Sequence, residues 1–290
     1  MLPSRIYLSG GGICAMAHVG ALMELSRHIP LHAIKEWMGV SAGSLVGMCV
    51  AIGFTLEELY AFSVRFDFGQ IKEPDTMPGW IVHFGMDTGE RLHRLVNACL
   101  HVKGLSSDTT FRQIQEQCGV SLRILATDLN EATGKCFNPI DTPDYPVSCA
   151  VRASMTYPYY FQPFVCPETG HWLVDGGVTS NYPLYLLPKE EYPRTLSLLI
   201  RLGLSTSEDL TELEPEQLLI RPLFTALTEK TNIEATLYPV DCIKIYLGNV
   251  NVLDFSLERD IKEEMVEKGR QAVRDYLQQR PPPVRRHSIS

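Results

Sequence analysis

A chain of 290 residues that is 45% apolar and 21% charged can bury one large core or two modest ones and is not a disordered sequence. Its net charge of −8 argues against a broad nucleic-acid surface, and the arginines of the closing RPPPVRRHSIS confine any attraction to anionic phosphate to that end. The eight cysteines show neither CxxC nor clustered Cys/His spacing, which argues against a zinc site and for reduced thiols in a cytosol.

The opening RIYLS predicts a short strand running into three glycines. No basic n-region with an apolar h-region and cleavage site opens the chain, so a cleaved secretory signal is not expected. Ala15, Val19, Leu22 and Ile29 then recur at helical spacing. WMGVSAGSLVGMCVAIG repeats strand, glycine corner and helix, and its apolar run from Leu45 to Phe54 is about half of what a bilayer-spanning helix requires. TLEELYAFS and DTGERLHRLVNACL predict further helices, and Thr110 with Gln113 gives a capping-box pattern stopped by Gly119.

VSLRILATDLNEATGKCFNP reads as strand, polar turn, strand. VSCAVRASMTYPYYFQPF reads as a short helix entering a Pro/aromatic loop, and HWLVDGGVTSNYP as a strand ending in a tight glycine turn. TLSLLIRLG and CIKIYLG are further strands, and Leu257, Ile261, Met265, Ala272 and Tyr276 mark an amphipathic C-terminal helix. This alternation predicts an α/β fold in three layers, α/β/α, on a mainly parallel central sheet. Ligands in such sheets bind beyond the carboxyl ends of the strands, where both glycine corners fall.

Gly39, Ser41 and Gly43 satisfy G-x-S-x-G, whose sharp strand-to-helix turn exposes a serine hydroxyl. Gly10, Gly11 and Gly12 in SGGGICA would present unhindered backbone N–H groups, as an oxyanion hole requires. A P-loop is excluded because no Gly-Lys-Ser/Thr follows, and the dinucleotide fingerprint fails at Ala15. Asp175 stands in VDGG, at a strand end with Gly176 and Gly177 behind it. A hydroxyl needs a base, and the sole histidine after Asp175 is His287 in the tail, so the Ser, acid, His order of α/β-hydrolases is not met. The histidines at 18, 28, 32, 83, 93, 101 and 171 remain alternatives to a carboxylate base.

LSGGGICAMAHVGALMEL, GVSAGS, CAVRASMTYPYYFQPF and LVDGGVTSNYP, in this order and spacing, resemble the patatin-like phospholipase family from about Ile6 to Leu202. The resemblance implies a Ser-Asp dyad at Ser41 and Asp175, with Gly39 and Gly43 at the nucleophile elbow and Gly176 and Gly177 in the acid-loop turn. It places the oxyanion hole on Gly10, Gly11 and Gly12, with the N–H of Ile13 as a further donor, and it calls for neither metal nor cofactor. The expected activity is hydrolysis of phospholipid or lysophospholipid esters through an acyl-enzyme, by a cytoplasmic protein that visits membranes peripherally. Alternatives on the same fold are a neutral-lipid esterase, an acyltransferase or a non-catalytic lipid-binding relative. The Tyr157–Phe164 loop is a candidate wall of the acyl site.

The sequence departs from the family's pattern at Cys14 and Ala15, where Arg-Gly is common. The expected organisation is a catalytic core over 5–202, a helical and strand extension packed on it over 203–279, and a basic tail over 280–290. In that tail RRHS suits a basophilic kinase at Ser288.

Overall fold

A computed structural model of the chain describes residues 2–73, 84–203, 215–248 and 250–279; His83, the basic tail and Ser288 lie outside the described residues. In chain order the elements are β1 (Arg5–Leu8), α1 (Met16–Leu25), β2 (Glu36–Val40), α2 (Ala42–Ala51), α3 (Leu56–Arg65), β3 (Gly85–Asp87), α4 (Glu90–Val102) and α5 (Phe111–Cys118). There follow β4 (Ser121–Asp128), β5 (Thr133–Phe137), α6 (Val147–Ser154), β6 (Tyr159–Phe161), β7 (Phe164–Val165) and β8 (Trp172–Asp175). The C-terminal third adds β9 (Thr195–Leu202), α7 (Pro215–Leu237), β10 (Asp241–Gly248) and α8 (Arg259–Gln279).

Five strands in the order β10-β9-β1-β2-β4 pair in parallel, and β5, β7 and β8 join them antiparallel to make one mixed sheet of eight. Side chains alternate between its faces, as the period of a strand requires. Ile6, Leu8, Trp37, Ile124, Leu198 and Ile245 belong to one core, under α1, α2, α6 and α8. Tyr7, Met38, Val40, Leu125 and Leu199 belong to a second core on the other face, with Tyr182, Leu184 and Leu187. Ala235 and Tyr238, at the end of α7 and just beyond it, pack against this second core. The fold is therefore the three-layer α/β/α arrangement on a mostly parallel sheet.

Helix boundaries follow local chemistry. Thr55 and Glu58 cap α3 reciprocally, Thr110 and Gln113 cap α5 in the same way, and Gly119 ends α5 in a left-handed conformation. The periodicity through Ile29 overestimates α1, which stops at Leu25, although Ile29 still packs on the core. The Pro/aromatic loop holds two short strands, β6 and β7. Helix α7 carries Pro222 in its interior, which masks it in a reading by periodicity.

The C-terminal helix is bound to α1 by direct backbone approach. A side chain at Gly20 would collide with the Val266 carbonyl, and one at Gly269 with the Ala17 carbonyl. Buried Glu24 also accepts from Arg274 at 3.3 Å across the same pair of helices. Gly269→Leu should force the helices apart and cost about 3 kcal/mol, read as a lower denaturation midpoint in urea, because backbone atoms cannot yield as a side chain would.

Candidate active site

The register on β4 brings the two glycine corners together. Ile124 and Leu125 pair with β2 and with β5, so those strands lie on opposite edges of β4; residues 126–128 pair with β5 and with β8. β2 and β8 therefore share one edge and meet end to end. The residue after β2 is Ser41, and the last residue of β8 is Asp175.

Ser41 adopts φ 53° and ψ −134°, a sparsely populated conformation for a residue with a side chain. Packing enforces it. Any side chain at Gly43 would strike the carbonyls of Leu8 and Ser9, so α2 can begin directly against β1. The Ser41 N–H donates to Ser154 Oγ at 2.9 Å, and that hydroxyl donates to the Leu125 carbonyl at 2.6 Å. Ser44 Oγ donates to the Ser41 carbonyl at 2.6 Å, which anchors the other side of the residue.

The Asp175 carboxyl stands beside the Ser41 hydroxyl, close enough to feel it, and accepts the Gly177 N–H at 2.8 Å. Burial raises its pKa to about 6, and the neighbouring Ser41 hydroxyl and the Gly177 N–H hold it back from rising further. Its backbone is fixed on both sides: its N–H donates to the Thr156 carbonyl at 2.7 Å, and its carbonyl accepts from Thr127 Oγ1 at 2.9 Å. Thr156 is held by buried Arg152, whose Nη1 donates to Thr156 Oγ1 at 2.5 Å. The same guanidinium donates to the Gly89 and Thr88 carbonyls at 2.9 and 2.8 Å, and burial lowers its pKa to about 10.

The glycine loop faces the same spot, but the structure corrects two of its four expected donors. The Gly10 N–H donates to Asn181 Oδ1 at 2.7 Å, and the Ile13 N–H to the Val252 carbonyl at 3.0 Å. Both are spent on shaping the loop. The N–H groups of Gly11 and Gly12 make no hydrogen bond among the described residues. Gly12 has φ +53°, and a side chain there would collide with Val252. Cys14, at the first departure from the family's pattern, is fully buried, and burial pushes its thiol up to about 12, which leaves it without nucleophilic character.

Below Ser41 lies an apolar cavity of about 200 Å³. Its inner wall comes from α1, α2, α3 and α4, and its outer wall includes Leu202, Phe224, Leu227 and Val252. Tyr157, Pro158 and Phe161 of the Pro/aromatic loop also line it, whereas Phe164 does not. Asp175 and Arg201 are the ionisable side chains among the described lining residues apart from Cys49 and Tyr157; no histidine is among them. His18 is fully buried with Nε2 on the Ser9 carbonyl at 2.9 Å, and burial lowers its pKa to about 4. His171 sits 2.8 Å from Asp128. Among the described residues no group of three or more His, Cys, Asp or Glu is placed to hold a metal.

Sequence reasoning assigned no role to Ser154, Asn181 or Arg201. Ser154 and Asn181 stand inside quoted motifs, RAS and TSNYP, and their place in those motifs was the available signal.

The profile of the patatin-like phospholipases matches residues 6–188, which is more than half of the chain. The protein belongs to the patatin-like phospholipase family. It is 32% identical to an uncharacterized protein of Acanthamoeba polyphaga mimivirus over 63% of this chain and 60% of that one. It is 27% identical to the uncharacterized protein YqhO of Bacillus subtilis over 93% of this chain and 97% of the other. A probable lipid hydrolase of Invertebrate iridescent virus 6 is 24% identical over 62% and 61% of the two chains. The chain thus spans about 60% of the length of both viral relatives. Among solved structures, VipD of Legionella pneumophila superposes with a TM-score of 0.63 at 15% identity, covering 96% of this patatin-like chain and 67% of VipD. The type III effector ExoU superposes with 0.51 at 16% identity, covering 96% and 53%. These two likenesses establish the fold.

The raised pKa of Asp175 has a sign that stability measurements read. An ordinary aspartate ionises near 3.8, so below that pH the group is neutral folded and unfolded; as pH rises through about 6 the native state must ionise it in place. Stability present at low pH is lost across that window, on the order of 3 kcal/mol in all. Asp175→Asn should therefore raise Tm at pH 8 and give no gain at pH 4.

Proposed function

We propose that the protein is a lipid acyl hydrolase of the phospholipase A or lysophospholipase type, working through Ser41 and Asp175 without a metal. The observation that carries this reading is a buried carboxyl within reach of a serine hydroxyl on a strained elbow, at the mouth of an apolar cavity. Ser41 Oγ attacks the ester carbonyl while its proton passes to Asp175. The N–H groups of Gly11 and Gly12 receive the oxyanion. Collapse returns the proton from Asp175 to the departing alkoxide and leaves an acyl-serine. Water then attacks the acyl carbon, with Asp175 again taking the proton, and the fatty acid leaves as Ser41 is regenerated.

Arg201 favours a phosphate-bearing substrate over a neutral lipid, since it is the one cation among the described lining residues. No helix among the described residues is long and apolar enough to cross a membrane. The protein would meet its substrate as a peripheral visitor from the cytoplasm, with the basic tail at 280–290 supplying local attraction to anionic lipid and Ser288 a site to weaken it.

Ser41→Ala should abolish labelling by a fluorophosphonate probe and lower ester hydrolysis by about 10³-fold or more. In the parent, kcat/KM should rise with pH and level off above about 6, following the ionisation of Asp175. A pH profile governed instead by a group in the neutral histidine range, abolished by His18→Gln or His171→Gln, would remove the carboxylate from its role. Arg201→Gln should raise KM for a phospholipid about tenfold and leave that for a p-nitrophenyl ester within twofold; equal effects on both would assign the phosphate contact elsewhere.

A further inference from the structure

The cavity runs along α2. Ala42, Leu45, Val46 and Cys49 line it, the i, i+3, i+4, i+7 face of that helix. Ala15, Met16 and Val19 supply a second wall from the start of α1, and Leu59 a third from α3. Val19, Cys49 and Leu59 are 1%, 4% and 5% exposed, so this end is closed. Ile52, one turn beyond Cys49, is buried without lining the cavity. Because α1 and α2 leave the carboxyl ends of adjacent parallel strands, they run the same way, and Val19 of the one and Cys49 of the other both line the cavity.

Helix geometry gives the depth. Eight residues separate Ser41 from Cys49, and a rise of 1.5 Å per residue makes this about 12 Å. An extended alkyl chain with bonds of about 1.5 Å advances about 1.3 Å per carbon, so about nine carbons reach from the attacked carbonyl to the closed end.

We infer that the site, on the acyl-hydrolase reading above, selects medium-chain acyl groups of about eight to ten carbons, with Cys49 and Val19 as the residues that set the limit. Each methylene enclosed raises kcat/KM about fourfold, the factor expected for burying one CH₂. That gain ends where the chain meets the thiol of Cys49 and the methyls of Val19. Longer chains must fold back or leave their remaining carbons outside, and gain nothing further.

A series of p-nitrophenyl esters from butyrate to palmitate, presented below their micellar concentrations or in a fixed detergent, tests this. The parent should show a rise per methylene that breaks at eight to ten carbons. Cys49→Phe should move the break down by about three carbons and lower the decanoate-to-butyrate ratio at least tenfold. Cys49→Met, a smaller filling, should move it by one or two, and Val19→Phe should act like Cys49→Phe. A rise that continues to palmitate, or a break that stays in place in all three variants, overturns the inference.

Calorimetric titration of free fatty acids into Ser41→Ala protein gives the same answer without catalysis. Affinity should increase from hexanoate to decanoate and then stay level, and adding Cys49→Phe should abolish the gain. If no ester is hydrolysed by the parent, the proposed reaction fails, and this binding series still decides the chain-length limit. Level affinities from hexanoate onward in the Ser41→Ala protein would defeat the limit alone.

Discussion

One strand edge aligns the two halves of the site. β2 and β8 approach each other from opposite directions along β4, and their hydrogen-bond registers fix how far each runs. Slipping either strand by one residue would turn its whole apolar set to the wrong face, so the buried cores on both sides hold the registers in place. Everything at the junction inherits that precision. Ser154 reaches the Ser41 N–H while donating to the carbonyl of Leu125, the β4 residue opposite Val40. Gly176 has no side chain because the same carbonyl stands where its Cβ would be.

In the proposed reaction a carboxylate serves as base beside a serine, and it meets a difficulty that a histidine does not. An ordinary aspartate is too weak a base at neutral pH to draw a proton from a hydroxyl, and here burial lifts its pKa to about 6, into the range where base strength and ionised fraction are both useful. Full burial without partners would go too far and leave the group neutral. The Gly177 N–H and the Ser41 hydroxyl counter that tendency. The remaining polar atoms around the turn are then satisfied at a distance, through Thr127, Thr156 and the carbonyl cage of Arg152. Such a strained, partly desolvated centre is tolerable because the surrounding network is nearly saturated.

The longer strands, most helices and both glycine corners were legible because each is written locally: short apolar runs for β1, β2, β4 and β9, reciprocal caps for α3 and α5, and glycine runs at the turns. Ser41 and Asp175 stood out for the same reason. Which N–H groups stay unspent was not legible, since that depends on Asn181 and Val252, 171 and 239 residues away from their partners Gly10 and Ile13. Helix α7 escaped because Pro222 and its threonines weaken a pattern that tertiary contacts restore. The cavity walls were legible only in part: Tyr157 lies in a quoted motif, but Leu59, Leu92 and Phe224 carry no sign of what they enclose.

Helix α7 and the residues near Val252 connect the turn after Asp175 to the wall of the cavity. Glu234 of α7 accepts from Ser180 Oγ at 2.8 Å, and Lys230 donates to the Thr179 carbonyl, so the helix grips the turn that follows Asp175. Phe224, Leu227, Thr228 and Thr231 of the same helix line the cavity, alongside Arg201, Val252 and Leu253. All of these residues follow position 188, where the family match ends. Both glycine corners thus fall within the family match, while this part of the cavity wall comes from segments beyond it. Because Ile13 donates to Val252, a change in the outer wall also reaches the glycine loop that faces the nucleophile. On the proposed reading, that hydrogen bond couples the wall of the acyl site to the loop that would hold the oxyanion.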